Sequence, residues 1–169
     1  HTSGTTSKPK IVPLTVENIY SSATNIATSL NLSYNDRYLN IMPLFHIHGL
    51  VAGILSTIIS GGTAICSNGF DALNFFKLVQ RFNPTWYSGV PTMHQMILNR
   101  STRNQKIIST SNIRFIRSSS ASLPVKILYG LEKMFACPVI EAYGMTEASH
   151  QMTSNLLTPN GRKPGSVGV

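Results

Sequence analysis

Short apolar strands alternate with amphipathic helices along most of this chain, and this alternation restricts its fold more than any other feature. The strand-like runs are apolar on both faces, which is typical of parallel strands buried between two layers of helices. The predicted strands span residues 38–42, 63–67, 85–90, 113–117 and 139–142. The pattern therefore predicts an α/β fold with a largely parallel sheet, in which ligands bind beyond the carboxyl ends of the strands.

The segments between the predicted strands have helical spacing of apolar residues. Thr15 is a suitable N-cap for a first helix that begins near Val16. Further helices are predicted for residues 51–60, for 72–82 with Asp71 as the cap, and for 91–99 and 124–135. The polar stretch 101–112 predicts a surface loop, and the chain after His150 predicts irregular structure because it is rich in glycine and proline.

Composition limits the classes of function. A length of 169 residues suits one domain or part of a larger one. Charged residues make up only 12%, about half the usual share, so we expect further protein to cover some faces. The net charge is +8, but the lysines and arginines are scattered singly, without the basic stripe of a nucleic-acid binder. The positive charge instead favours small anionic ligands.

The cysteines and the apolar runs indicate where in the cell the protein is expected to be located. Cys66 and Cys137 lie in apolar surroundings, so we expect both to be buried, reduced thiols of an intracellular protein, cytoplasmic or peroxisomal. The chain opens on polar residues rather than on a signal peptide. Its longest apolar run, 47–59, is too short to span a bilayer, so we expect no membrane span.

The first ten residues form a candidate phosphate-binding segment. One glycine is surrounded by hydroxyl side chains and followed by two lysines, in the order His-Thr-Ser-Gly-Thr-Thr-Ser-Lys-Pro-Lys. Backbone N–H groups, short hydroxyls and ammonium groups are the donors that bind phosphate oxygens. The segment is not the phosphate loop of the P-loop NTPases, which needs two glycines five apart followed by Lys and Ser or Thr.

Two polar turns follow predicted strands at the edge where ligands are expected. In 143–147, the Tyr143 ring can stack on a purine, Thr146 can bind a phosphate, and Glu147 can hold Mg²⁺. The turn 118–122 reads Ser-Ser-Ser-Ala-Ser and places several hydroxyl groups after another strand. A turn without a ligand remains the alternative for each of these segments.

These segments resemble the motifs of the acyl-adenylate-forming superfamily, which includes acyl-CoA synthetases, luciferases and peptide-synthetase adenylation domains. The family pattern Thr-Ser-Gly-Thr-Thr-Gly-x-Pro-Lys matches from Thr2 to Lys10, with Ser7 in place of the second glycine. The pattern Tyr-Gly-x-Thr-Glu matches 143–147 in full, whereas 118–122 departs from the family's turn by replacing glycine and proline with serine. The resemblance implies that residues 1–169 are part of the large N-terminal domain of an adenylate-forming enzyme, without its small C-terminal domain.

The resemblance also implies a reaction and its cofactors. A carboxylate attacks the α-phosphorus of ATP to give acyl-AMP and pyrophosphate, and CoA then displaces AMP; Mg²⁺ assists. Catalytic roles are implied for Thr146, Glu147 and Lys10, and Mg²⁺ ligation for Glu147 and Thr6. The implied nucleotide-binding residues are Thr2, Ser3, Gly4, Thr5, Thr6, Ser7, Ser120, Ala121, Ser122, Glu141, Ala142, Tyr143, Gly144, Met145 and Thr146.

Residues 117–123 and 147–155 resemble the oxalate–CoA ligase and 4-coumarate–CoA ligase-like branch of that superfamily. In this branch the resemblance implies that His46, Ser120 and His150 hold the oxalate. The chemistry agrees, because a desolvated second carboxylate needs donors, and imidazole and hydroxyl groups provide them. An aromatic or fatty acid substrate, a nucleotide-binding fragment without turnover, and histidines with a purely structural role remain alternatives.

Overall fold

Residues 2, 9–157 and 161–168 are described by the computed structural model, and its described strands form one six-stranded sheet. The strands are β1 Arg37–Asn40, β2 Thr63–Cys66, β3 Trp86–Gly89, β4 Phe115–Ser118, β5 Val139–Met145 and β6 His150–Ser154. Their order is β2-β1-β3-β4-β5-β6. All neighbouring pairs are parallel except β5 and β6, which are antiparallel. The prediction of a largely parallel α/β fold is therefore confirmed.

Helices connect the parallel strands. They are α1 Val16–Ser29, a π-helical segment His48–Leu55 that continues into α2 Ser56–Ile59, α3 Phe75–Phe82, α4 Pro91–Ser101, α5 Gln105–Ser109 and α6 Val125–Phe135. Helix α1 begins with a capping box between Thr15 and Asn18, which satisfies two backbone N–H groups. Pro91 occupies the first turn of α4, where its missing N–H costs no hydrogen bond.

The sheet separates two apolar layers because successive strand residues point to opposite faces. One layer lies against α1 and the π-helical segment, and its strand residues are Tyr38, Trp86, Phe115 and Ile140. The other layer lies against α3, α4, α5 and α6, and its strand residues are Leu39, Tyr87, Ile116 and Val139. Both faces of the sheet are thus covered, which explains why the strands read as continuous apolar runs.

A row of polar side chains follows the apolar residues on the α1 face. Asn40 pairs in register with Ser88, and Ser88 pairs with Arg117. We call these three residues the polar row; all are buried. The Tyr38 hydroxyl donates to Asn40 Oδ1 at 3.1 Å. The row lies at the carboxyl ends of β1, β3 and β4, so it marks the edge of the sheet where parallel folds bind ligands.

Two predictions of irregular structure were wrong. Residues 101–112 contain a 3-10 turn, Thr102–Asn104, and helix α5, whose Ile108 side chain packs into the core. The chain after His150 first forms β6, His150–Ser154, and only the described residues after that strand are irregular as predicted. In both cases tertiary burial of a few apolar or backbone groups outweighed a polar local composition.

The two cysteines differ in environment, which corrects another prediction. Cys137 is buried, and this burial raises the pKa of its thiol to about 12. Cys66 is exposed at the end of β2, an edge strand among those described. No described helix combines the length and the apolar composition that crossing a membrane requires.

Candidate active site

The turn after β5 is held by the strand that follows it. Strand β5 continues to Met145, further than residues 139–142 predict, because β6 turns back and pairs with it. The 3-10 turn Thr146–Ala148 connects the two strands. The last part of the candidate motif 143–147 is therefore a tight connection between antiparallel strands, and its position is fixed by β6.

A cavity of about 350 Å³ lies where this turn meets the polar row and the π-helical segment. It is lined by Met42, His46, Ile47, His48, Val90, Ser120, Gly144, Met145, Thr146 and His150. The lining contains His46, Ser120 and His150, which the sequence predicted to hold the acid. We call this space the histidine cavity. Its size is typical of sites for small molecules.

His48, which sequence reasoning missed, is a buried histidine in the lining of this cavity. Its Nε2 lies 2.6 Å from Ser88 Oγ, and its Nδ1 lies 3.0 Å from Ser120 Oγ. His46 instead lies exposed at the rim, with its ring 4.5 Å from the ring of Phe45. A signal was present, because His48 interrupts an otherwise apolar run, where a polar side chain needs a partner.

The His150 ring packs beside the His48 ring in the lining of the cavity, and the two ring centroids are 5.2 Å apart. The Nδ1 atom of His150 is buried and has no hydrogen-bond partner within the part of the chain that the structure describes. Two backbone conformations here are strained: φ is +107° at His150 and +73° at Ser120. Strained non-glycine residues persist where the surrounding structure holds them, and they occur preferentially at functional sites.

Both histidines are neutral at physiological pH. Burial lowers the pKa of His48 well below its usual range, and the nearby Arg117 guanidinium lowers it further. Burial and the same guanidinium lower the pKa of His150 to about 2. Either ring can therefore donate one N–H or accept one hydrogen bond without carrying charge.

A second cavity of about 320 Å³ adjoins the first. It is lined by Ser118, Ser120, Ala121, Ser122, Glu141, Ala142, Tyr143, Gly144, Gly165 and Val167. Seven of these ten residues are predicted nucleotide-binding residues, and Ser120 and Gly144 also line the histidine cavity. The Tyr143 side chain is half exposed, so its ring is available for stacking. Met145 and Thr146 line the histidine cavity instead.

The outer wall of this second cavity is the segment 163–168. Gly165 N–H donates to Glu141 Oε2 at 2.8 Å, which ties the segment to β5. Asn155, another residue that sequence reasoning missed, accepts from Lys163 N–H at 3.1 Å and donates to the Ser166 carbonyl at 2.6 Å. Burial raises the pKa of Glu141, while the Gly165 N–H opposes that rise. Glu141 thus anchors the wall as well as bordering the cavity.

The first motif lies largely outside the described residues, and this includes Ser3, Gly4, Thr5, Thr6 and Ser7. Its two ends are described and paired. Thr2 N–H donates to the Lys10 carbonyl at 3.0 Å, and Lys10 N–H donates to Thr2 Oγ1 at 3.2 Å. The predicted roles of the first motif in binding phosphate therefore stay predictions.

Glu147 is exposed and lines a groove with Pro13, Leu14 and Asn18, which follow the first motif in sequence. The described residues contain no cluster of three or more metal-ligating side chains. A single carboxylate such as Glu147 still fits Mg²⁺, because this ion is commonly held by one or two carboxylates together with substrate phosphates. Thr6, the other predicted metal ligand, lies outside the described residues.

Known proteins resemble this chain along its whole length. The family model described as AMP-binding enzyme matches residues 1–169. Oxalate–CoA ligases of Arabidopsis thaliana and Saccharomyces cerevisiae are each 48% identical to this chain over 99% of its length, and the matches cover 33% and 30% of those proteins. The chain thus spans about a third of the length of these curated relatives.

Solved structures with a similar fold indicate the same family. O-succinylbenzoate coenzyme A synthetase of Bacillus subtilis, solved in complex with ATP and a magnesium ion, superposes with a TM-score of 0.84 at 34% identity. That match covers 99% of this chain and 34% of the solved one. Because the family model matches the whole chain, and the fold and relatives agree with it, the chain belongs to the AMP-binding enzyme family.

Proposed function

We propose that the protein containing this chain is an ATP-dependent acid–CoA ligase whose substrate is a small dicarboxylic acid, oxalate. The observation that carries the proposal is the junction of two cavities at Ser120 and Gly144, one lined by hydrogen-bonding imidazoles and one by predicted nucleotide-binding residues. A carboxylate held in the first cavity lies beside a nucleotide held in the second. This is the geometry that attack on an α-phosphate requires.

The nucleotide half of the reaction depends on residues after β5. The Tyr143 ring stacks on adenine, and the Thr146 hydroxyl, which lines the histidine cavity, donates to the α-phosphate at the junction. Glu147 and Thr6 would hold Mg²⁺, and a bound ion would supply positive charge to neutralise the phosphate oxygens. No covalent nucleophile is needed, because the substrate carboxylate is itself the nucleophile and the protein orients it.

The acid half depends on the histidine cavity. The second carboxylate accepts hydrogen bonds from His150 and from the Ser120 hydroxyl, which His48 orients, while the first points toward Thr146. His46 lies at the rim and contacts the acid as it enters. An aliphatic or aromatic acid would leave the buried His150 imidazole and the Ser120 hydroxyl without a ligand acceptor, a penalty that discriminates strongly between substrates. The names of the two oxalate–CoA ligases that the chain resembles support this choice of acid.

A substrate panel tests the proposal on the full-length protein. Pyrophosphate release and CoA-thioester formation would be measured with oxalate, malonate, 4-coumarate and octanoate. We expect oxalate to give the highest kcat/KM. Replacing one transition-state donor or metal ligand, in T146V or E147Q, should lower kcat with oxalate by about 100-fold.

Two results would contradict the proposal. Preference for coumarate or octanoate would replace the assigned substrate by an aromatic or fatty acid. Tight ATP binding in calorimetry without pyrophosphate release from any acid would mean that the protein binds nucleotide without turnover. Thermal unfolding of each variant serves as the control for folding.

A further inference from the structure

We propose that Arg117 determines specificity for a doubly charged acid: its buried guanidinium provides the positive charge that the second carboxylate of the substrate neutralises. This inference deepens the proposed function and rests on it. Arg117 does not line the histidine cavity, so it is a positioning residue that acts through the groups in front of it.

Arg117 is held in place from two sides. It is 0% exposed, belongs to the polar row on β4, and donates from Nη2 to Gln151 Oε1 on β6 at 3.0 Å. Gln151 Nε2 in turn donates to Ser29 Oγ at the end of α1, at 3.1 Å. The guanidinium is therefore fixed between the sheet and α1. Its Nε and Nη1 atoms are buried without hydrogen-bond partners among the described residues.

No acidic side chain in the described part of the chain pairs with Arg117. The ion pairs found there join Arg114 to Asp36 and Arg162 to Glu132. Burial lowers the pKa of Arg117 to about 10, so the group is still protonated at neutral pH. A buried charge without a partner is unfavourable, and natural proteins retain one mainly where a ligand or a function requires it.

Arg117 is connected to both histidines of the cavity. Its neighbour in register is Ser88, whose hydroxyl lies 2.6 Å from His48 Nε2. Its partner Gln151 directly follows His150 in sequence. Arg117 also helps to lower the pKa of both imidazoles, so the positive charge of the site resides on the guanidinium and not on the rings.

This arrangement separates hydrogen bonding from charge. The neutral His150 ring and the Ser120 hydroxyl, which is hydrogen-bonded to His48, can bind any polar group in the cavity, charged or not. Only a carboxylate gains from the field of Arg117, which acts strongly because the surroundings have a low dielectric constant. An acid of the same shape whose second group is an uncharged amide still offers one acceptor oxygen, and its NH₂ group can donate to a neutral imidazole or a hydroxyl, but it loses the charge interaction. Arg117 should therefore distinguish dianions from monoanions.

Oxalate and oxamate form the test pair, because oxamate carries a carboxamide in place of the second carboxylate. The kcat/KM for pyrophosphate release would be measured with both acids on full-length wild type, R117M and the double variant R117M/Q151M. The double variant leaves no buried glutamine oxygen unpaired. We expect both variants to lower kcat/KM by about 100-fold for oxalate and by less than about 3-fold for oxamate.

Two further variants serve as controls. R81M removes an exposed arginine of α3, outside both cavities, and should leave the oxalate-to-oxamate ratio unchanged. R117K keeps a positive charge and should retain most of the preference for oxalate. Thermal unfolding reports whether each variant folds. If R117M does not fold, the oxalate-to-oxamate ratio is compared between R117K and R117M/Q151M instead.

The outcomes separate this inference from the proposed function. If R117M and R117M/Q151M lower kcat/KM equally for both acids, Arg117 merely holds β6 against α1 and the inference is overturned. The same holds if R117K loses the preference as completely as R117M, because charge would then not be the cause. If the wild type activates other acids but not oxalate, the assigned substrate fails and the inference fails with it.

Discussion

His46 and His48 are two positions apart in the chain, yet they occupy different environments. His46 lies in the turn before the π-helical segment and is exposed, whereas His48 is the first residue of that segment and is buried against Ser88 and Ser120. The difference arises because the segment packs on the sheet and directs its first residue toward the polar row. The sequence motif identified His46 alone, and only the packing shows that His48 is the buried histidine of the two.

This difference predicts unequal effects of the two substitutions H48A and H46A. H48A removes a buried donor and leaves the Ser88 and Ser120 hydroxyls without their partner, so kcat/KM for oxalate should fall by about 100-fold. H46A removes an exposed ring, and we expect a loss of less than about 10-fold. Steady-state kinetics of pyrophosphate release would measure both. A greater loss for H46A would mean that His46, and not His48, is the histidine that contributes most to binding the acid.

At the scale of secondary structure, the π-helical segment is fitted closely to the sheet. A Cβ atom at Gly53 would overlap the ring and hydroxyl of Tyr38, which is fully buried and hydrogen-bonded to Asn40. Glycine at this position therefore allows the helix backbone to lie directly on a strand residue. The same approach brings His48 over Ser88, so the position of the cavity depends on this contact.

We predict that G53A destabilises the fold by about 1 to 3 kcal/mol, because the added methyl group overpacks a full core. Chemical denaturation would measure this change in the free energy of unfolding. L50A, on the exposed side of the same segment, is the matched control and should have a much smaller effect. A neutral G53A would mean that Tyr38 can move, and that the close contact does not position the helix.

The elements themselves were largely predictable where local periodicity and burial agree. Helix α1 begins at Val16 as its Thr15 cap predicts, and β3 lies within the predicted run 85–90. The prediction failed for α5 and β6. Helix α5 has few apolar residues and is stabilised by burying Ile108, and β6 is stabilised by pairing with β5. Contacts distant in sequence decide such elements.

At the scale of the whole molecule, an ion pair ties the sheet together at the end opposite the cavities. Asp36, just before β1, accepts from Arg114 Nε at 2.7 Å and from Arg114 Nη2 at 3.0 Å, just before β4. It also accepts from Thr85 Oγ1 and Ser33 N–H, each at 2.8 Å. Burial alone would raise the pKa of Asp36, but these hydrogen bonds and the Arg114 charge lower it.

We predict that this cluster makes stability depend on pH in the acid range. Because the pKa of Asp36 is lower in the folded state, its contribution is complete above the unfolded pKa of about 4 and is lost as pH falls through the folded pKa. D36N should lower the free energy of unfolding at pH 7 by about 2 to 4 kcal/mol, since it leaves Arg114 without its partner. Denaturation at pH 7 and pH 2 would test this. An equal difference between wild type and D36N at both pH values would contradict the assignment.

The sequence by itself determined the fold class, the family and most candidate site residues of this protein. Strands that are apolar on both faces leave few alternatives to a parallel sheet covered by helices. Motifs with a fixed order of residues, such as 143–147, are recognisable without coordinates. Only the tertiary structure decided that His48 is buried, that Asn155 ties down the cavity wall, and that Arg117 has no acidic partner in the described residues. The physical reason is that burial and pairing depend on which distant segments meet, whereas periodicity and motifs are local properties of the chain.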